Sequence, residues 1–252
     1  MTTLNSLVNY CDTLLDSARF NDYCPNGLQI EGKPDIQKII TGVTACQALI
    51  DRAIAEKADA ILVHHGYFWK HENPCLIGNK GQRIKTLCQH NISLIAYHLP
   101  LDVHPELGNN RQLAKQLNIT VDGTLNTGHP PALALQGQLS QPMTGTELAA
   151  HIQTTLGRKP LHIPGKAEKI QRIGWCTGAA QDYIDYAIAA GLDAFLTGEV
   201  SERTTHSARE TGIHFFAAGH HATERYGIQA LGEHLAQQFN ITHEFVDIDN
   251  PV

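Results

Sequence analysis

Apolar residues in this chain gather into short runs separated by amphipathic stretches with a period near 3.6, the pattern of strands alternating with helices. One such run, ADAILV at residues 58–63, reads as a buried strand, and it ends on His64-His65 just before Gly66. Two imidazoles at the end of a buried strand imply a bound partner. Successive strand side chains point to opposite faces, so both can serve one site only if the backbone turns there, and Gly66 permits that turn.

The pattern occurs twice. Residues 36–62, IQKIITGVTACQALIDRAIAEKADAIL, align without a gap on residues 170–196, IQRIGWCTGAAQDYIDYAIAAGLDAFL, with 13 of 27 positions identical. Each copy reads as a strand, an amphipathic helix (Leu49, Ile50, Ala53 and Ile54 in the first) and a second strand, a βαβ unit. Looser matches extend it: helices LNSLVNYCDTLLD and TELAAHIQTTLG precede the copies, and NISLIAYH at 91–98 and GIHFFAAGH at 212–220 follow them. The expectation is an α/β fold of two related halves from an internal duplication, with mainly parallel sheets flanked by helices. The halves are expected at 1–124 and 125–252, with the HPP, QP, KP and IPG punctuation between Leu125 and Lys169 opening the second.

In parallel sheets ligands bind beyond the carboxyl ends of the strands. His64 and His65, His98 and Asp102, Glu199, and His220 and Glu224 all follow predicted strands. Pro100 is expected to keep the segment from His98 to Asp102 out of a regular helix, so that a loop carries the carboxylate. His220 and Glu224 share a face if a helix starts there. For each residue a structural role competes: turn histidines for the HH pair, a cap or turn for Asp102, a favourable helix N-terminus for Glu224. His221 is read as structural.

Composition sharpens the choice. The net charge of −6 and 42% hydrophobic content describe a mildly acidic globular protein, and duplex nucleic acid is not the expected partner. The N-terminal segment lacks a basic start and apolar block, and no apolar run reaches membrane-spanning length, so no membrane is expected and the location reads as cytoplasmic. Six scattered cysteines without C-x-x-C spacing argue against a zinc ribbon or disulfide framework and read as buried thiols. Histidine is the unusual residue, 15 against 19 Lys plus Arg.

Three histidines (His64, His65, His220) and two carboxylates (Asp102, Glu224) exceed one four-coordinate zinc site, and two divalent ions use them better. Glu224 is the candidate bridge, and Asp102 can exchange roles with it. Mixed N/O ligation suits Zn, Fe, Mn, Co or Ni. Two such ions lower the pKa of a shared water, for zinc toward about 7, and stabilise an oxyanion. Because imidazoles bind metal only when neutral, acid below about pH 6 is expected to release the ions. His98, Glu199 and His206 are read as outer partners or proton carriers, with His98 and His206 the candidate catalytic residues. Tyr67, Phe68 and Trp69 can stack on a nucleobase-like ligand or anchor a loop. No G-x-S-x-G elbow, P-loop or dinucleotide fingerprint is present.

NGLQIEG, ILVHHGYFW, YHLPLD and AAGHHATE resemble the motifs of the GTP cyclohydrolase type 2 homolog family, across essentially the whole chain. The resemblance implies a two-part α/β fold with a dinuclear metal centre between the halves, in a ring-shaped homohexamer. It carries the ligands onto His64, His65, Asp102, His220 and Glu224. Where many members have HTNLD this chain has HLPLD, which keeps Asp102 and alters the loop before it. Two function classes follow. The leading one is a metal-dependent hydrolase of a small molecule, GTP cyclohydrolase-like or acting on damaged nucleotides. The competing one is a non-catalytic metal chaperone, insertion factor or regulatory metal-binding assembly.

Overall fold

The structure, a computed structural model, describes residues 2–126 and 131–252. The chain forms two compact units, Met1–Leu107 with Gly227–Asp249, and Gly108–Tyr226 with Asn250–Val252. The His129-Pro130 punctuation lies outside the described residues.

The first unit is built on a five-stranded sheet in the order Thr242–Phe245, Lys38–Thr44, Ala60–His65, Ser93–Ala96, Gly27–Ile30. The first four strands are parallel and the last is antiparallel to its neighbour. Alternation along the strands feeds two cores. Ile39, Val43, Leu62 and Ile95 pack with Leu4, Leu7, Ile228, Leu231 and Leu235. Ile40, Ile61, Val63 and Leu94 pack with Leu49, Ile50, Ile84 and Leu87. Helices thus cover both faces of the sheet, which is why these strands read as unbroken apolar runs.

The second unit is built on a six-stranded sheet in the order Ile119–Thr124, Leu135–Met143, Ile170–Trp175, Ala194–Thr197, His214–Ala217, Leu161–Ile163. Its three strands from Ile170 to Ala217 are parallel, and antiparallel strands flank them on both sides. Leu148, Ile152 and Leu156 of the helix Gly145–Leu156 pack with Ile173, Trp175, Leu196 and Phe216. Ile184, Ala187 and Ala208 pack with Phe195 and Phe215.

The duplication is visible in hydrogen bonds. Ile39 pairs with Ala60 and Ile40 with Ile61 in one sheet; at the same 134-residue offset Ile173 pairs with Ala194 and Gly174 with Phe195 in the other. The carboxylate of Asp59 accepts from the backbone N–H groups of Gln37 and Lys38, and that of Asp193 from those of Gln171 and Arg172.

The units do not divide at residue 124. The strand Ile119–Thr124 pairs with Leu135–Met143, and Trp175 Nε1–H donates to the Asn110 carbonyl, which draws 108–124 into the second unit. Thr242–Phe245 pairs with Lys38–Thr44 and carries the C-terminal segment into the first. Three cysteines also depart from expectation. Cys11, Cys24 and Cys176 are buried, whereas Cys46 is half-buried and Cys75 and Cys88 are exposed; all are free thiols. Among the described residues no helix is long and apolar enough to cross a membrane.

Candidate metal centre

In the first unit the strand Ala60–His65 ends with its two imidazoles together, ring centroids 4.5 Å apart. Gly66 has no positive φ. Its requirement is space, because a Cβ there would meet Gln29 Oε1 at 2.2 Å and the Ala96 Cβ at 2.7 Å. The Gln29 amide oxygen accepts from the Tyr67 N–H and holds the turn. His64 is fully buried, and its Nδ1 lies 2.9 Å from the Tyr97 carbonyl. A carbonyl only accepts, so Nδ1 carries a proton and, in the neutral ring, Nε2 the lone pair. Nε2 stands 3.5 Å from Asp102 Oδ1. His65 Nδ1 is 3.2 Å from the Thr44 hydroxyl.

Asp102, nearly buried, lies on a short helix, Leu99–Val103, and not in a loop. Pro100 sits in the first turn, where a missing N–H leaves no intrahelical bond unmade, so proline starts this helix instead of preventing it. His98 precedes it. Its backbone N–H donates to Asn26 Oδ1, and its Nδ1 lies 2.7 Å from Asp22 Oδ1. Asp22 also accepts from the N–H groups of Tyr23 and Leu99 and from the Asn26 amide. Burial opposes its ionisation, but the hydrogen bond and charge of His98, with Asn26 and the Tyr23 N–H, outweigh burial and hold the carboxyl below its usual range. Asp22 and Asn26 went unread in the sequence, because an aspartate between two predicted elements gives no signal that distinguishes it from a turn residue.

The aromatic trio divides. Tyr67 is a buried anchor whose hydroxyl donates to the Ala45 carbonyl. Phe68 packs against the core with φ +64°, a left-handed conformation uncommon for a bulky side chain. Trp69 meets His98 edge to face at 5.0 Å and lies 5.9 Å from His65.

In the second unit the strand His214–Ala217 is followed by Gly219 at φ +101° and then by the helix His220–Phe239. The helical i, i+4 spacing brings His220 Nε2 to 3.1 Å from Glu224 Oε2, as the spacing predicts. His220 Nδ1 lies 2.7 Å from Glu199 Oε1. Burial pulls the His220 imidazole down, but the hydrogen bonds and charges of Glu224 and Glu199 win and push it up to about 9. Gly178, at φ +71°, is the wall of this group, since a Cβ there would meet Glu224 Oε1 at 2.2 Å and His220 Nε2 at 3.2 Å. Its N–H donates to Thr223 and its carbonyl accepts from Thr197. The repeat pairs Gly178 with Thr44, which lies beside His65 in the first unit.

His206 lies exposed on the helix Glu202–Thr211, and neither it nor His221 joins a donor cluster among the described residues. The imidazoles and buried carboxylates set side by side here, His64 with Asp102 and His220 with Glu224, suit divalent cations of borderline softness. The chemistry of the donor set therefore fits the ions that the motif resemblance implies.

A model of the Duf34/NIF3 (NGG1p interacting factor 3) family matches residues 2–251. The chain is 59% identical over 248 residues to a Pseudomonas aeruginosa protein named GTP cyclohydrolase 1 type 2 homolog, covering 98% of each. The Escherichia coli K12 protein of the same name is 54% identical over 251 residues, covering 99% of this chain and 98% of that one. Among solved structures, protein ybgI, described as of unknown function, superposes with a TM-score of 0.96 at 53% identity over 100% of both chains. TTHA1606 from Thermus thermophilus superposes at 0.89 with 32% identity, again over 100% of both.

Proposed function

The chain belongs to the Duf34/NIF3 family, and from that premise we propose that it holds two divalent metal ions with His64, His65, Asp102, His220 and Glu224 and hydrolyses a small molecule of the nucleotide class. One observation carries the reading. Each unit sets a buried carboxylate beside the Nε2 of an imidazole whose Nδ1 is held by an acceptor, Asp102 beside His64 and Glu224 beside His220. In the first unit the Nε2 of the neutral His64 ring presents a lone pair to the Asp102 carboxylate, a repulsive arrangement unless a cation lies between them, and in both units an acceptor on the far nitrogen is the usual companion of a metal-bound histidine.

When bound, divalent ions supply Lewis acidity and an activated water. The residues of the chain supply the rest. Tyr97 and Glu199 fix the tautomer and direction of His64 and His220, and Asp102 and Glu224 neutralise the bound cations. Trp69, half-buried with its ring beside His65 and His98, offers a planar apolar surface on which a nucleobase can stack. The relatives' printed name, GTP cyclohydrolase 1 type 2 homolog, supports a purine nucleotide as the first substrate to try. The motif resemblance also implies a ring-shaped homohexamer, which light scattering of the purified protein reads directly.

The test is elemental analysis of the purified protein followed by turnover of a nucleotide panel that includes GTP, with Glu224→Ala as control. The expected result is about two ions per chain and turnover lost in the variant. If the metal-replete protein turns over nothing while its metal passes readily to an apo acceptor, the hydrolase reading fails and a metal-delivery role replaces it.

A further inference from the structure

We infer that His98 is itself a metal ligand, completing with His64 and His65 a three-imidazole donor set within the first unit. The inference rests on the metal-binding reading above and goes beyond its five ligands.

Three observations lead there. One ligand nitrogen of each of His64, His65 and His98 lies within 4.8 Å of one nitrogen of each of the others, and the ring centroids are 4.5, 5.1 and 5.8 Å apart. Tetrahedral coordination with bonds of 2.0–2.1 Å brings such nitrogens to about 3.4 Å from one another, so small ring movements suffice. Second, the nitrogens available are lone pairs. Nδ1 of His64 donates to the Tyr97 carbonyl and Nδ1 of His98 to the Asp22 carboxylate, which leaves Nε2 of each ring unprotonated in the neutral form. Both Nε2 lone pairs are donors that a single cation shared with His65 can use.

Third, the duplication supplies a counterpart. NISLIAYH and GIHFFAAGH place His98 and His220 at the ends of equivalent strands. Each has Nδ1 held at 2.7 Å by a carboxylate, Asp22 in one unit and Glu199 in the other. His220 is one of the five ligands already assigned, and the same carboxylate–imidazole device around His98 serves the same purpose.

Asp22 and Cys24 also lie within 4.8 Å of His98, but they do not form the competing site. The Asp22 carboxylate is occupied by four hydrogen bonds. Asp22 is a positioning residue and His98 Nε2 the donor.

The experiment loads the full-length, metal-free protein with zinc and measures affinity by competition with a chromophoric chelator, for wild type, His98→Gln and Asp22→Asn. In parallel, the ¹⁵N resonance of His98 Nε2 in the wild type is followed during loading. His98→Gln is expected to weaken one zinc equivalent at least ten-fold, Asp22→Asn to weaken the same equivalent about ten-fold, and the His98 Nε2 resonance to shift as that equivalent binds. Wild-type affinity in a folded His98→Gln overturns the inference and leaves the five-ligand reading standing. So does a His98 resonance that zinc leaves unmoved, which decides the matter even if the variant does not fold. A wild-type protein that binds no zinc and no other divalent ion overturns both readings.

Discussion

Lys57 and Gly191 occupy the same place in the two halves, just past the end of a helix, and both adopt a left-handed backbone, with φ +56° and +64°. Nothing lies within 4 Å of where a Gly191 Cβ would be, so the difference between the residues there is conformational alone. Left-handed φ disfavours a side chain, and the backbone freedom of glycine offsets part of that gain. Lys57→Gly is therefore expected to stabilise the protein by about 0.5–1 kcal/mol in urea denaturation. A second residue-scale prediction concerns His162 and His214. His214 Nε2–H donates to the Ala167 carbonyl, and its Nδ1 lies 3.0 Å from His162 Nε2. Burial, with the neighbouring His214, holds His162 below the usual histidine range. The unfolded chain then takes up a proton more readily than the folded one. Stability is fully present above about pH 6.5 and declines as the pH falls from there toward the lower folded value. Denaturation midpoints at pH 8 and pH 5.5 should fall less for His162→Gln than for wild type; equal falls would remove His162 from the account.

The strands and helices owe their places to signals that act at the scale of a turn or a strand end. Thr144 caps the helix Gly145–Leu156 in a reciprocal box with Glu147, and proline in the first turn begins Leu99–Val103. At the strand ends Asp59 and Asp193 do equivalent work, each tying the N–H groups of two successive residues of the neighbouring strand. Asn keeps one acceptor and loses the charge, so Asp59→Asn and Asp193→Asn should each lower unfolding stability by about 1 kcal/mol, measured by urea titration at pH 7. Although burial opposes it, hydrogen bonding to Gln37, Lys33 and Lys38 holds the Asp59 carboxyl below its usual range. Its contribution is present above the ordinary carboxyl pKa near 4 and is lost as the pH falls through the lower folded value. Asp59→Asn should therefore converge on wild type in acid, and a constant difference down to pH 2 would contradict the assignment.

At the scale of the whole molecule, ligands that bind only the folded chain stabilise it by mass action. With the proposed ions at a hundred-fold excess over their dissociation constant, the gain is about 2.7 kcal/mol per site, and chelation should lower the melting temperature of wild type more than that of Glu224→Ala. The sequence alone determined the duplication, because βαβ periodicity and identical residues at a constant offset are local patterns. It also marked the strand ends that carry His64, His65, His98 and His220, because buried strands announce themselves as apolar runs and their last residues stand out as polar. Only the tertiary structure decided that 108–124 joins the second unit and Gly227–Asp249 the first, since sheet pairing unites segments distant along the chain. Only it revealed Asp22 behind His98 and Gly178 against Glu224, because a hydrogen bond across 76 residues and the room for a missing Cβ leave no periodic trace in the sequence.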